Sequence, residues 1–194
     1  MTGIPICCRS RAPRKEPSPP ITTSASMSDY EGAGGTIFLA NPNAHTGVAL
    51  SAAEIEGIIM KNPDNVVVID EAYVDFGAES CAGLVDRYDN LLVIQTMSKS
   101  RSLAGARLGY GIANRALIRD MNTLRNSTNP YNINSMTMAA AEGILEDEAY
   151  TAENCKRIMA NRVFTVNELK HLGFELTDSV GNFIFMKHPG IDGR

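Results

Sequence analysis

A lysine, two hydroxyl residues and an arginine follow a short apolar run and could together form a reactive site. Residues 91–94 have the length and β-branched content of a buried strand. Thr96 and Ser98 lie at its carboxyl end. Lys99 comes next, and Arg107 is eight residues further on. A lysine becomes a nucleophile when a pocket removes water from its amine, whereas hydroxyls and a guanidinium can bind a phosphate. The segment fits either such a site or a strand that runs into a solvated polar loop.

A carboxylate and a phenol follow the preceding apolar run. Residues 66–69 are a second β-branched segment, which ends at Asp70, and Tyr73 lies three residues beyond. A helix-length gap separates the two runs, so they are expected to be parallel neighbours whose carboxyl ends share one edge of a sheet. Taken alone, Asp70 is equally typical of a turn, and Tyr73 of a half-buried aromatic. Their place one strand before Lys99 predicts that both face the same cleft as the lysine.

The two segments together resemble the active-site sequences of fold-type I pyridoxal-phosphate aminotransferases, and most closely those of the histidinol-phosphate aminotransferase family. The shared features are the Ser-Lys pair, the continuation Leu-Ala-Gly-Ala-Arg-Leu-Gly-Tyr and the upstream Asp-Glu-Ala-Tyr. The resemblance implies that the cofactor is pyridoxal 5'-phosphate and that Lys99 is the residue that forms a Schiff base with it. It also implies that Thr96, Ser98 and Arg107 hold the cofactor phosphate.

The same resemblance suggests roles for the carboxylate and the phenol. Asp70 would keep the ring nitrogen of the cofactor protonated, and Tyr73 would hydrogen-bond its ring oxygen. The implied activity is amino transfer between glutamate and imidazole-acetol phosphate in histidine biosynthesis, carried out by a cytoplasmic homodimer. Two alternatives remain at this point. The chain could be a catalytically inactive fragment of such an enzyme, or it could belong to another fold-type I enzyme, such as an amino-acid decarboxylase.

Some features of the family are replaced or not recognisable in this sequence. Residues 41–47 resemble the family's Asn-Pro-Thr-Gly loop, but Ala44 stands where the asparagine is expected and His45 replaces the proline. Asn43 lies one position too early. The glycine-containing phosphate loop and the stacking aromatic that precede this point in the family are not recognisable, and the substrate-binding arginine would lie beyond Arg194. We therefore expect little or no transaminase activity from this chain alone.

Composition narrows the class of protein. The chain has 194 residues, of which 44% are hydrophobic and 21% charged, as in soluble globular proteins. A net charge of -4 argues against nucleic acid as a partner, and no apolar run reaches the ~20 residues that span a membrane. The cysteines are Cys7, Cys8, Cys81 and Cys155. Their spacing predicts neither a metal site nor a disulfide framework and favours a reducing cytoplasm.

Three regions are expected along the chain. Residues 1–30 are rich in proline, serine and arginine and predict a disordered leader unrelated to the family. Residues 31–148 alternate strands with helices, which predicts an α/β fold with a mostly parallel sheet and flanking helices. They correspond to part of a cofactor-binding large domain. Residues 149–194 are expected to form a bridging helix and a truncated small α+β domain.

Local signals predict two of the helices in more detail. Ser51 and Glu54 have the spacing of a capping box, which predicts the start of a helix. Residues 135–145 have a helical apolar pattern that includes Met136 and Met138. We interpret these methionines as core residues, because methionine commonly fills gaps in hydrophobic cores.

Overall fold

A four-stranded sheet lies at the centre of the computed structural model, which describes residues 30–191. Its strands are β1 (Ile37–Ala40), β2 (Val67–Asp70), β3 (Leu91–Thr96) and β4 (Gly109–Ala113), side by side in that order. β1, β2 and β3 are parallel, whereas β4 is antiparallel to β3. The predicted α/β fold with a mostly parallel sheet is confirmed, and β2 and β3 are parallel neighbours as expected.

One face of the sheet packs on the first helix, α1 (Ala52–Met60), and the main hydrophobic core lies between them. Ile55, Ile58 and Ile59 of this helix are at most 1% exposed. They are spaced i, i+3, i+4 and therefore form one stripe on the helix. Burying each such side chain contributes about 1.5–3 kcal/mol. This layer therefore holds the strands that carry the candidate site residues.

The start of α1 has the predicted capping box. The Ser51 hydroxyl accepts a hydrogen bond from the Glu54 N–H at 3.3 Å, and the Glu54 carboxylate accepts one from the Ser51 N–H at 2.8 Å. These two bonds satisfy donors at the start of the helix that have no partner within it. The local sequence signal is thus confirmed.

Three further helices follow the sheet: α2 (Arg115–Thr128), α3 (Ser135–Glu146) and α4 (Glu148–His171). Asn114 caps α2, and its side chain accepts a hydrogen bond from the Leu117 N–H at 2.8 Å. Although α2 is longer than α1, none of its residues is buried. None of the helices within residues 30–191 has both the length and the apolar character needed to cross a membrane.

The interpretation of Met136 and Met138 as core residues is wrong. Met136 is 83% exposed and Met138 is 42% exposed. The residues that α3 buries are Thr137 and Ala141, which lie one turn apart on a single narrow stripe. The helix packs through this stripe alone, so the methionines on either side of it point away from the protein.

After α4 the chain forms a short antiparallel pair, β5 (Glu175–Leu176) and β6 (Met186–Lys187). This pair lies within residues 149–194, and the division of the chain into three regions remains a prediction. Apart from Tyr30, the predicted leader lies outside the described residues.

Candidate active site

The candidate site lies at the edge of the sheet where β2 and β3 end. Asp70 pairs in register with Ile94 of β3 and with Ala40 of β1. Side chains alternate along a strand, and Ile69 points into the core against α1. Asp70 therefore points to the opposite face of the sheet, and Thr96, two residues after Ile94, lies on that same face.

Asp70 also shapes the turn that follows β2. Its Oδ1 accepts a hydrogen bond from the Ala72 N–H at 3.0 Å, which is the pattern of an Asx turn. The N–H of Glu71 donates to the Ile94 carbonyl at 2.8 Å and extends the ladder by one residue. The other carboxylate oxygen, Oδ2, makes no hydrogen bond within residues 30–191. Asp70 is half-buried, so this oxygen is available to a cationic or hydrogen-donating ligand.

Lys99 and Tyr73 meet at this edge, as the sequence predicts. The Lys99 Nζ lies 5.1 Å from the centroid of the Tyr73 ring, within the range of a cation–π contact. Lys99 is exposed and Tyr73 is half-buried. Among the described residues Lys99 has no carboxylate partner, and its amine remains available for reaction.

The lysine loop, which we define as residues 97–108, is fastened to the sheet by its buried first residue. Met97 is 2% exposed. Its N–H donates to the Leu108 carbonyl at 3.0 Å, and its carbonyl accepts from the Leu103 N–H at 2.9 Å. These bonds close the loop on itself, so the lysine is presented on a defined turn.

Thr96 and Ser98 use their polar groups differently. The Thr96 hydroxyl accepts from the Ser98 N–H at 3.1 Å and donates to the Leu108 carbonyl at 3.4 Å. The Ser98 hydroxyl has no hydrogen bond within residues 30–191. The Thr96 hydroxyl therefore stabilises the turn next to the site, whereas the Ser98 hydroxyl is available to a ligand.

Arg107 makes no hydrogen bond to these two hydroxyls. Its Nη1 donates to the Ala104 carbonyl at 3.0 Å, and the residue is exposed. Arg107 and Ser102 both have left-handed backbones, with φ of 54° and 57°. They are the two non-glycine residues with positive φ in the described part of the chain, and this conformation costs about 1–2 kcal/mol per residue. Such strain is typical of functional loops.

A second tie joins the lysine loop to the turn that carries Tyr73. The Ser100 hydroxyl donates a hydrogen bond to the Asp75 carboxylate. The Arg101 Nε lies 3.9 Å from the same carboxylate. Ser100 is buried and Asp75 is exposed, so this contact joins the interior of the lysine loop to the surface of the turn. Asp75 therefore fixes the separation between the loops that bring Tyr73 and Lys99 together.

Sequence reasoning overlooked Glu71, which lies behind Asp70 on the core face. Glu71 is 2% exposed. Its carboxylate accepts from the Ser80 hydroxyl at 2.7 Å, the Cys81 N–H at 2.5 Å and the Gln95 Nε2 at 2.8 Å. The Gln95 Oε1 in turn accepts from the Tyr110 hydroxyl at 2.6 Å. The network connects β2, β3 and β4 directly beneath the site. In the sequence, the one feature that could have indicated this network is the acidic residue at the end of β2 on the core-facing side.

The loop after β1 is organised by its own side chains. The Asn43 Oδ1 accepts from the backbone N–H groups of His45 and Thr46, each at 3.0 Å. This oxygen is therefore used within the turn. Ala44 is exposed and offers no polar group. The loop is therefore a self-contained turn held by Asn43.

Comparison with known proteins identifies the family. The model of the family "Aminotransferase class I and II" matches residues 14–190. The chain belongs to this family. A curated relative, the histidinol-phosphate aminotransferase of Acinetobacter baylyi, is 51% identical over 163 residues, which are 84% of this chain and 45% of that protein. The chain thus spans about half the length of the curated relatives that it matches.

Two solved structures show the same fold. The histidinol-phosphate aminotransferase of Clostridium acetobutylicum matches with a TM-score of 0.71 and 26% identity, covering 81% of this chain and 49% of that one. L-threonine-O-3-phosphate decarboxylase of Porphyromonas gingivalis matches with a TM-score of 0.66 and 26% identity, covering 78% and 46%. An aminotransferase and a decarboxylase therefore both have a fold of this type.

Proposed function

We propose that the protein to which this chain belongs is a pyridoxal-phosphate-dependent histidinol-phosphate transaminase, with Lys99 as its cofactor-binding lysine. The observation that carries the proposal is the meeting of Lys99 and Tyr73, 5.1 Å from Nζ to the ring centroid, at the edge where β2 and β3 end. The two residues come from loops after different strands. Ligands of open α/β sheets bind at such an edge.

The available groups fit pyridoxal 5'-phosphate in their chemistry. The edge offers a free amine at Lys99, a carboxylate oxygen at Asp70 and a phenol at Tyr73. The cofactor has an aldehyde, a ring nitrogen and a ring oxygen that need these three kinds of partner. The Ser98 hydroxyl, the Thr96 hydroxyl and the Arg107 guanidinium, which lie on or beside the lysine loop, would hold the phosphate.

When bound, the cofactor supplies an electron sink that stabilises negative charge at the α-carbon of the substrate. The amine of Lys99 would be the base that takes the proton from that carbon and delivers it to a carbon of the cofactor. The carboxylate of Asp70 provides the negative charge that keeps a facing ring nitrogen protonated. Tyr73 orients the amine by its ring face.

The substrate assignment is supported by the 51% identity to the Acinetobacter baylyi protein. On that basis we propose glutamate and imidazole-acetol phosphate as amino donor and acceptor. We also propose a cytoplasmic homodimer, as is usual for enzymes of this type. The second candidate, a phosphorylated amino-acid decarboxylase, is favoured by one observation, the structural similarity to the Porphyromonas gingivalis enzyme. The identity to that enzyme, 26%, is about half the 51% identity to the Acinetobacter baylyi protein.

The attachment of cofactor to Lys99 can be tested directly on this chain. Incubation with pyridoxal 5'-phosphate, borohydride reduction and peptide mapping should give a single labelled lysine, Lys99. Lys99→Arg should abolish the label and the accompanying absorbance while leaving the circular dichroism of the backbone unchanged. Lys156→Arg, an exposed lysine on α4, is the matched control and should keep the label. Labelling of a different lysine, or of none, would overturn the assignment.

The substrate can be tested by exchange into a complete enzyme. The 163-residue segment that matches the Acinetobacter baylyi protein would replace its counterpart there. We expect the hybrid to transaminate histidinol phosphate with 2-oxoglutarate and to lose this activity on Lys99→Arg. Release of carbon dioxide from O-phosphothreonine without transamination would favour the decarboxylase instead.

A further inference from the structure

The segment of residues 177–183, here called the docking segment, lies against the loop after β1. The Thr177 hydroxyl donates to the Thr46 carbonyl at 2.5 Å, and the Val180 N–H donates to the Gly47 carbonyl at 2.9 Å. Gly47 has φ of +74°, and a Cβ there would overlap the Ser179 hydroxyl. Only glycine allows so close an approach. The contact therefore joins parts of the chain more than a hundred residues apart.

Arg162 of α4 connects the docking segment to the turn that carries Tyr73. Its Nη1 donates to the Phe76 carbonyl at 3.0 Å and to the Gly181 carbonyl at 2.6 Å. A Cβ built on Gly77 would lie 3.6 Å from its Nη2, at ordinary van der Waals distance, so the guanidinium lies beside this turn. Within residues 30–191 Arg162 has no carboxylate partner. Its charge is therefore directed at two backbone carbonyls, one from each segment.

The environment of Arg162 distinguishes it from Arg157, the other arginine of α4. It is half-buried, and burial lowers the pKa of its guanidinium below the ordinary value. Arg157, five residues earlier, is exposed. Partial burial of a guanidinium is costly unless its donors are satisfied, and the two N–H groups of Nη1 can each donate to one fixed acceptor. This geometry is typical of a residue that holds two segments in place.

The docking segment ends in an aromatic contact with the candidate site. The rings of Phe183 and Tyr73 are 5.1 Å apart between centroids and inclined at 78°. A Cβ on Gly181 would lie 2.9 Å from the Phe183 ring, so the ring is folded back over this glycine. Tyr73 in turn contacts Lys99. A continuous series of contacts therefore leads from Arg162 through Gly181, Phe183 and Tyr73 to Lys99.

We propose that Arg162 is a positioning residue: by binding the carbonyls of Phe76 and Gly181 it holds Phe183 against Tyr73 and so fixes the ring that faces Lys99. This proposal rests on the proposed role of Lys99 in cofactor binding. It assigns Arg162 no contact with substrate or cofactor. Its effect is on the orientation of Tyr73, which the edge-to-face contact with Phe183 restricts.

Removal of the guanidinium should have two separable effects. Hydrogen bonds that involve a charged group are strong enough for their loss to change a local opening equilibrium by about ten- to a hundredfold. Amide hydrogen exchange across residues 177–183 should therefore accelerate by about that factor in Arg162→Met. The visible circular dichroism of cofactor bound at Lys99, which reports its orientation, should fall in the same variant.

Three further variants complete the test. Arg162→Lys keeps the charge and a nitrogen with several donors, but its side chain is shorter and more flexible, so both readouts should be intermediate. Arg157→Met is the matched control and should behave as the unmodified protein. Phe183→Leu leaves both Arg162 hydrogen bonds but removes the ring, so it should lower the circular dichroism while exchange across residues 177–183 stays within about threefold, as expected when no charged hydrogen bond is lost.

The outcomes decide between the alternatives. A folded Arg162→Met variant with unchanged exchange and unchanged circular dichroism would overturn the proposal. If Arg162→Met does not fold, Phe183→Leu decides, and an unchanged cofactor signal in that variant overturns it. If the unmodified chain binds no cofactor at Lys99, it is the proposed function that fails. Accelerated exchange in Arg162→Met would then still support the proposal that Arg162 holds the docking segment in place, and unchanged exchange would refute it.

Discussion

Helices α1 and α2 carry apolar residues on similar periods but have opposite relations to the core. In α1, nine residues long, Ile55, Ile58 and Ile59 are almost fully buried against the sheet. In α2, fourteen residues long, no residue is buried, and Leu124 is 65% exposed. Both helices have a side chain at the N-cap that accepts a backbone hydrogen bond. Capping therefore sets where these helices begin, whereas packing alone distinguishes the core helix from the outer one.

The difference matters for the candidate site. Asp70 and Thr96 lie on strands that pack against α1, and Lys99 lies on the loop that Met97 anchors to the same sheet. Local stability follows buried apolar contacts. We therefore expect the site to depend on the α1 layer far more than on α2 and α3.

The largest effect is expected from a cavity in the α1 layer. Ile58 is 1% exposed. Ile58→Ala removes three buried carbon atoms and should lower the free energy of unfolding by about 2–5 kcal/mol. Urea unfolding followed by circular dichroism would measure it. An effect below about 1 kcal/mol would show that α1 is not the principal packing helix.

A smaller loss is expected when the buried carboxylate is removed. Glu71→Ala leaves the Cys81 N–H, the Ser80 hydroxyl and the Gln95 amide without their acceptor. We expect destabilisation of about 1.5–3 kcal/mol, because each partner is a donor to a charged group. Asp86→Ala, at an exposed position whose side chain makes no hydrogen bond within residues 30–191, is the control. Equal unfolding midpoints for the two variants would contradict this account.

The thiol next to Glu71 should make stability fall in alkaline solution. Burial first, and then the nearby carboxylates of Glu71 and Glu79, raise the pKa of Cys81 from 9.0 to about 12. The unfolded chain then releases a proton that the folded chain retains. The contribution of the Cys81 thiol to the free energy of unfolding is complete below pH 9 and is lost as pH rises towards 12. Cys81→Ala should flatten this part of the curve of unfolding free energy against pH, whereas an unchanged slope would rule out the thiol as its source.

Loss of the α1 cap should cost less than loss of its core. Ser51→Ala removes the acceptor of the Glu54 N–H and breaks the capping box. The expected cost is about 1 kcal/mol, within the range for N-cap substitutions. Ser51→Asp retains an acceptor and should restore most of the stability. Identical unfolding midpoints for Ser51→Ala and the unmodified protein would show that packing alone holds the helix start.

The smallest effect is expected on the outer helix α3. Met136 is 83% exposed, so Met136→Ala should change the free energy of unfolding by no more than about 0.5 kcal/mol. Thr137→Val, at the neighbouring buried position, should have the larger effect. If the methionine proved more costly to remove, α3 would be covered by a surface that the described residues do not provide, and the contrast between inner and outer helices would fail.

Local patterns in the sequence predicted much of this fold. The β-branched runs became β2 and β3, and Ser51 with Glu54 began α1, because these features depend on neighbours within about four residues. The parallel pairing followed from the helix-length connection. The placement of Lys99, Asp70 and Tyr73 at one edge follows from the same rule, although their roles in catalysis remain predictions.

Tertiary structure decided which side chains are buried and which distant groups meet. A helical apolar pattern does not say whether another element will cover it, so Met136 lies in solvent while Ile58 lies in the core. Nor could spacing predict that Arg162 would bind the carbonyl of Phe76, 86 residues away, or that Glu71 would be satisfied by three donors. Such contacts depend on backbone geometry assembled from several elements, and that geometry exists only once the sheet, α1 and α4 have packed together.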